Sequence, residues 1–220
     1  MSITHHPSEA LLLDYATGAL SEAWSLAVAT HLALCPVCRR TVSDIEALGG
    51  SLLDAIAPEP MTATEFESVL ARLSAAPATD DMEHPMAAPA ASVPTLPEPL
   101  RGYVGGDVSL LPWKRLGLGA YHLPITTGDR GVSARLLRIP AGRPVPTHGH
   151  RGLELTLVLC GAFSDATGSY IRGDLQEADE SVEHQPHAAV GEDCICLAIT
   201  DAPLRFNSLA ARLVQPLLGI

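Results

Sequence analysis

The chain has 220 residues with 14 basic and 25 acidic side chains, a formal net charge of −11, and Lys114 as its sole lysine. That balance argues against binding nucleic acid, where phosphate neutralisation dominates affinity, and an acidic surface suits a basic protein partner instead. The length accommodates two domains, one of about 75 residues and one of about 120. The smaller would be marginal on burial alone and would need a staple. Met1–His6 shows neither a positive n-region nor an apolar h-region. The longest apolar stretch, Ala23 to Leu34, is interrupted by Thr30 and His31 and falls short of a membrane span. Five cysteines without a secretory signal suit a reducing compartment. The expectation is a soluble cytoplasmic protein with no membrane contact and no direct DNA binding.

Ser8 reads as the N-cap of a short helix to about Tyr15, closed by Gly18, and Ser21 as the N-cap of a second helix to about Leu34. On that second helix Trp24, Val28, His31 and Cys35 follow helical spacing. A third helix begins near Pro36, where proline is tolerated in the first turn, and is expected to stop at Gly49-Gly50. Thr64 opens a fourth, whose Phe66, Val69, Leu70 and Leu73 form one apolar stripe. From residue 76 to 99 the chain turns to proline (77, 85, 89, 94, 97 and 99) interleaved with alanine, a semi-extended linker. Beyond Leu100 come short strands, among them Val132–Ile139, Leu153–Leu159 and Asp193–Ile199, with turns at Gly142, Gly161, Gly173 and Gly191. The predicted architecture is therefore a multi-domain chain. Residues 1–75 form an all-α domain of four helices, 76–99 a Pro/Ala linker, and 100–220 an all-β barrel.

Two sets of candidate metal ligands lie on these scaffolds. His31 and Cys35, four residues apart, share a helix face, and Cys38 completes a Cys-x2-Cys chelating turn. A tail histidine would close a tetrahedral His2Cys2 zinc site. His6, immediately before the first helix, is preferred over His5, although the short tail allows either. The second set reads Gly142-x5-His148-x-His150-x3-Glu154-x6-Gly161, followed by His184. His148 and His150 alternate on one strand, and Glu154 lies at an even offset if the Arg151-Gly152 turn is regular. His184, with His187 as its nearest competitor, would supply a third nitrogen. Such a set suits zinc or another divalent transition metal such as Mn, Fe or Ni.

The distal His with His-x3-Cys-x2-Cys between two helices resembles the zinc-containing anti-sigma factors, and the second set resembles the first motif of the cupins. The proline usual before Gly173 in the second cupin motif is absent, with Ile171 and Arg172 in its place. In this order, joined by a Pro/Ala linker and closed by Asp201–Ser208, the two motifs are similar to the ChrR-type anti-sigma factors over nearly the whole chain. The resemblance implies an N-terminal zinc domain that inhibits a sigma factor of the extracytoplasmic-function type. It also implies a metal-binding cupin barrel that relieves inhibition under singlet oxygen or related oxidative stress, with a small molecule or oxidant as the signal and no catalytic residues. The fourth helix, as a docking element for the sigma factor or as a cover for its own domain, remains open at this level. Cys194 and Cys196, two apart on a strand, face one way and are candidate targets of oxidation. The alternative function is a metal-dependent cupin enzyme, a dioxygenase or isomerase.

Overall fold

Helix α1 spans Glu9–Ala16, and the Ser8 hydroxyl accepts from the Leu11 amide at 3.3 Å, satisfying one orphan donor of the first turn. The computed structural model describes residues 2–75, 93–117 and 119–206. Most of the expected linker, and the end of the closing segment beyond Phe206, lie outside the described residues. Helix α2 spans Glu22–Leu34 and is apolar all round, with Ala23, Leu26, Ala27, Val28, Thr30, His31 and Leu32 buried. A helix with no polar face must be enclosed, and α2 is covered by β-strands described below. Ser21 occupies its N-cap position, but the capping is done from 108 residues away. The Asp129 carboxylate accepts from the Ser21 hydroxyl (2.8 Å) and from the amides of Glu22 (3.2 Å) and Ala23 (2.7 Å).

Helix α3 spans Pro36–Asp54 and runs straight through Gly49-Gly50, where the sequence led us to expect a stop. Glycine costs a helix only about 1 kcal/mol relative to alanine. Neither residue takes the positive φ that a terminating glycine needs. Helix α4 spans Ala63–Ala75, opened by a reciprocal box between Thr62 and Glu65. A fifth helix that the sequence did not announce, α5, spans Glu98–Val104 and buries Leu100; Leu96, just before it, is buried as well. The amides of Thr95 and Leu96 donate to Asp107 at 3.0 and 2.8 Å. The last residues of the Pro/Ala segment thus belong to the core.

Among the described residues twelve strands follow: β1 Lys114–Gly117, β2 Ala120–Ile125, β3 Ser133–Ile139, β4 His148–Gly149, β5 Glu154–Cys160 and β6 Ala162–Ser164. The remainder are β7 Ser169–Ile171, β8 Leu175–Ala178, β9 Glu183–His184, β10 His187–Ala188, β11 Cys194–Thr200 and β12 Arg205–Phe206. They form a six-stranded sheet in the order β1-β2-β3-β11-β5-β8 and two three-stranded sheets, β10-β6-β7 and β12-β4-β9. The three segments read from the sequence as strands are its adjacent centre, β3, β11 and β5. Gly142, Gly161, Gly173 and Gly191 all take positive φ at the turns.

Strands β5 and β11 are buried on both faces, because two different structures cover them. Glu154, Thr156 and Val158 alternate with Leu155, Leu157 and Leu159 along β5; Cys194, Cys196 and Ala198 alternate with Ile195, Leu197 and Ile199 along β11. The second residue set of each strand joins Leu11, Leu26, Ala27 and Val28 of the helices in one apolar core. Val158, Cys194 and Cys196 join a smaller cluster with Phe163 and Tyr170. Each fully buried Leu or Ile stabilises the packed state by roughly 1.5–3 kcal/mol. The first helices are therefore held to the sheet by its own outer-face residues.

The described residues fall into two compact units, Met1–Glu46 with Pro94–Ile220, and Ala47–Val93. In the second unit α4 has no buried residue. Among the described residues no helix is long and apolar enough to cross a membrane.

The Asp129 cap yields a direct test. Asp129→Ala should lower unfolding free energy by about 1 kcal/mol, and Asp129→Asn, which keeps an acceptor, by less. Urea unfolding followed by far-UV circular dichroism measures both.

Candidate metal centres

The turn between β7 and β8 builds the first centre from outside the helices. Gly173 takes φ +95°, and a Cβ there would stand 2.5 Å from the Ile3 side chain, so only glycine fits. Its carbonyl accepts from His31 Nδ1 at 2.8 Å, which fixes the proton on Nδ1 and leaves the Nε2 lone pair facing Cys38 Sγ at 3.3 Å. The next residue, Asp174, is fully buried, and its carboxylate accepts from the amides of Thr4 (2.7 Å), His5 (2.9 Å) and Ile171 (2.8 Å). Burial works against its charge, but these backbone donors outweigh it and hold its pKa below the ordinary carboxylate value. The Leu175 amide donates to the His5 carbonyl at 3.1 Å, so the tail is clamped on both sides.

Clamped there, the tail presents His6, whose Nδ1 stands 3.3 Å from Cys38 Sγ and 3.5 Å from Cys35 Sγ. His5 turns the other way, its ring 4.3 Å from that of Tyr170. His6, His31, Cys35 and Cys38 thus bring four donor atoms within 4.8 Å of one another. Nitrogen and sulfur ligands of one tetrahedral zinc lie about 3.6 Å apart, given bonds of about 2.0–2.1 and 2.3 Å. The spacing and the soft donors fit that ion. Burial lowers the His31 pKa to about 4 and raises that of Cys38 to about 12.

The second centre is assembled by sheets that face each other. His148 on β4 stands opposite His184 on β9, and His150 follows β4 directly. Glu154 does not continue their strand. The chain bends at Arg151-Gly152, and Glu154 opens β5 in the six-stranded sheet. The even offset noted in the sequence is therefore not what brings it in. At Gly152 a Cβ would meet the Asp201 carboxylate, which accepts from the Leu153 amide at 2.9 Å.

His148 Nδ1 donates to the Pro146 carbonyl at 2.9 Å, and His184 Nδ1 donates to Asp165 at 2.6 Å. Both Nε2 atoms are then lone-pair bearers, yet they lie 3.1 Å apart, with His150 Nε2 3.2 Å from that of His184. Two lone pairs facing each other at hydrogen-bond distance repel unless a cation lies between them. Ligands about 2.1 Å from one ion are separated by roughly 3.0–3.4 Å. With Glu154, these four residues bring their donor atoms within 4.8 Å of one another. Burial lowers the pKa of His148 and His150 to about 4 and raises that of Glu154 to about 7. His187, the alternative to His184, is exposed and points its Nδ1 at the Gln185 carbonyl.

Asp165, to which no motif pointed, orients His184. Burial raises the cost of its charge, but bonds from Thr167, Gln176 and His184 outweigh it and hold its pKa at about 2. Cys194 and Cys196 have their Sγ atoms 3.5 Å apart and both are buried. The contact with Cys194, then burial, pushes the Cys196 thiol well up, away from the reactive thiolate. Both line a cavity of about 90 Å³ that also touches His148, Glu154 and His184.

The family of the ChrR cupin-like domain matches residues 103–202. Over 221 residues, 100% of both chains, the sequence is 49% identical to the anti-sigma-E factor ChrR of Cereibacter sphaeroides. The chain belongs to the ChrR family of anti-sigma factors. The crystal structure of Rhodobacter sphaeroides SigE in complex with the anti-sigma ChrR matches with a TM-score of 0.77 and 46% identity, covering 91% of this chain and 100% of that one. An RmlC-like cupin protein of Ralstonia eutropha matches 47% of this chain and 71% of its own, at 22% identity and a TM-score of 0.41.

The buried imidazoles set the acid response of metal-stripped ChrR-family protein. His31, His148 and His150 have folded pKa values depressed to about 4, so between about pH 6.5 and 4 the unfolded chain binds more protons and stability falls with pH. Glu154, raised to about 7, acts in the opposite sense over about pH 4.5–7, one group against three. The urea midpoint of EDTA-treated protein should fall between pH 6.5 and 5, and more steeply in Glu154→Gln, which lacks the opposing contribution.

Proposed function

We propose that this chain binds and inhibits a sigma factor of the extracytoplasmic-function type. It does so through an N-terminal helical domain, residues 1–75, stapled by zinc at His6, His31, Cys35 and Cys38. The cupin domain, residues 100–220, joined through residues 76–99, holds zinc or another divalent transition metal at His148, His150, Glu154 and His184. It answers an oxidant, singlet oxygen among them, by promoting release. On this reading the chain works in the cytoplasm, does not touch DNA, and uses the cupin metal to sense and not to catalyse.

The observation that carries the reading is the apolar face left uncovered on α4 and the end of α3. Phe66 is 56% exposed and Leu73 69%, and Val69 and Leu70 are exposed beside them. Leu48, Leu52, Leu53 and Ile56 are exposed as well. Large apolar side chains left in solvent along one helix face mark a site of interaction. An amphipathic helix laid in a hydrophobic groove is a recurrent way to cover it. This favours docking over the alternative in which α4 covers its own domain. The relative at 49% identity is named an anti-sigma factor, and the matching crystal structure holds such a protein with SigE.

The cavity beside the cupin set, about 90 Å³ and lined by Leu137, Phe163 and Cys196 among others, admits an oxidant-sized molecule. The relative named an anti-sigma factor supports a sensor over the enzyme.

Co-expression of the full-length, metal-loaded chain with sigma factors from its own genome tests the proposal. A stable one-to-one complex is expected. Phe66→Glu/Leu70→Glu should weaken it at least about 100-fold, as for two buried anchors of a hot spot, with the metal content unchanged. Failure to bind any sigma factor would overturn the reading.

A further inference from the structure

Between the two candidate metal groups runs a continuous set of contacts, buried at Asp165 and Tyr170 and open to solvent at Thr167, that neither group needs for its own ligands. It begins at His184, whose Nδ1 donates to Asp165 Oδ2, the side chain of Asp165 being fully buried. The other carboxylate oxygen accepts from the Thr167 hydroxyl at 2.6 Å and from the Thr167 amide at 2.8 Å. A threonine hydroxyl has a single proton, and here it is directed to Asp165. The Tyr170 hydroxyl, 2.9 Å from Thr167 Oγ1, must then be the donor of that contact. Gln176 Nε2 reinforces the junction, donating to Asp165 at 2.9 Å and to Thr167 Oγ1 at 2.8 Å.

Tyr170 is 5% exposed and fixed between two rings. Phe163 stacks on one side, with centroids 4.8 Å apart, and His5 lies on the other at 4.3 Å. His5 is followed by His6, a donor of the first group, and its own amide and carbonyl are held by Asp174 and by the Leu175 amide. Gln176 follows Leu175 on β8, so that strand touches the path at both ends. The direction of every hydroxyl is set by the ionised Asp165. What fixes Asp165 and His184 therefore fixes Tyr170, and with it the seat of the tail.

A cation on Nε2 of an imidazole makes its Nδ1–H a stronger donor, and outer-shell partners of this kind alter metal affinity by about 10–100-fold when removed. The first group, for its part, takes one of its four ligands from a tail that has to be ordered before it can bind. We propose that the two groups bind metal cooperatively, with the path Asp165–Thr167–Tyr170 carrying occupancy of the cupin group to the tail that supplies His6. Binding coupling is reciprocal, so metal in the His6–His31–Cys35–Cys38 group also raises the affinity of the cupin group. Loss of the cupin metal then weakens the zinc staple of the helices through the seat of His6, with all four of its ligand residues still present. Asp165, Thr167 and Tyr170 are positioning residues for both centres. The inference rests on the reading that both groups hold a metal and does not depend on the sigma factor.

The test uses full-length protein and Co(II). Thiolate-to-cobalt charge-transfer absorption reports the first group, because the four cupin donors are nitrogen and oxygen only. His150→Ala empties the cupin group while leaving Asp165, Thr167 and Tyr170 in place. Chelator competition should show cobalt held at the thiolate group roughly 5- to 150-fold less tightly in His150→Ala than in the parent protein. Tyr170→Phe keeps the ring and removes only the hydroxyl, and Thr167→Val breaks the same path at a second point. In either background, adding His150→Ala should change the thiolate group's affinity by less than twofold. Equal affinities in the parent and His150→Ala, or full dependence retained in both path variants, would overturn the coupling. Absence of cobalt binding at either group in the parent protein would overturn the metal reading itself, and the coupling with it.

Discussion

The Gly173-Asp174 turn is the constraint on which the rest of this structure depends. Two backbone-scale interactions meet there. The Gly173 carbonyl takes the Nδ1 proton of His31, and the buried Asp174 carboxylate gathers the amides of the N-terminal tail. A charged carboxylate with no solvent contact is tolerable only because three backbone donors satisfy it. The same bonds hold the tail that carries His6 against the barrel. A helical metal centre is thus given its geometry by a turn of the β-barrel.

That arrangement changes how the stability of the helices is understood. A set of short helices of this size is marginal on burial alone, and a structural zinc in a closed four-ligand site can be worth roughly 10–16 kcal/mol of apparent binding free energy. Here the helices also draw on the outer faces of β5 and β11, whose Leu155, Leu157, Leu197 and Ile199 are fully buried in one core with Leu26 and Val28. The Asp129 cap adds a polar tie at the start of α2. Hydrophobic packing, a candidate metal ligand and capping converge on α2, the helix that carries His31. A disturbance in the barrel therefore has several physical routes to that helix.

By contrast, the end of α3 and all of α4 leave their apolar side chains in solvent. This division suits a regulator. One part of the chain is tightly packed around two groups of side chains that could hold a metal, and the other keeps the surface a partner would bury. Coupling between the groups would give a signal at the barrel a physical effect beyond it, through a two-ended network of hydrogen bonds and not through a single lever.

Much of this was legible in local sequence. His31, Cys35 and Cys38 are close in sequence on a helix and the turn after it, so spacing alone brings them together. The alternation of β3, β5 and β11, the turn glycines and the stripe of α4 were legible for the same reason, since each depends on a period of 2 or 3.6 residues. The extension of α3 through Gly49-Gly50 was not, because a cost of about 1 kcal/mol per glycine is easily outweighed. Nor was α5, whose proline-rich surroundings mask a short helix held by burial of Leu96 and Leu100. Tertiary structure alone decided which tail histidine faces the cysteines, since Asp174 lies more than 160 residues from the amides it holds. It alone brought Glu154 from a facing sheet to His148, His150 and His184, and set Asp165 behind His184. Periodicity constrains a side chain to a face of its own element; which elements then face one another is fixed by long-range packing and by buried charges that must find their donors.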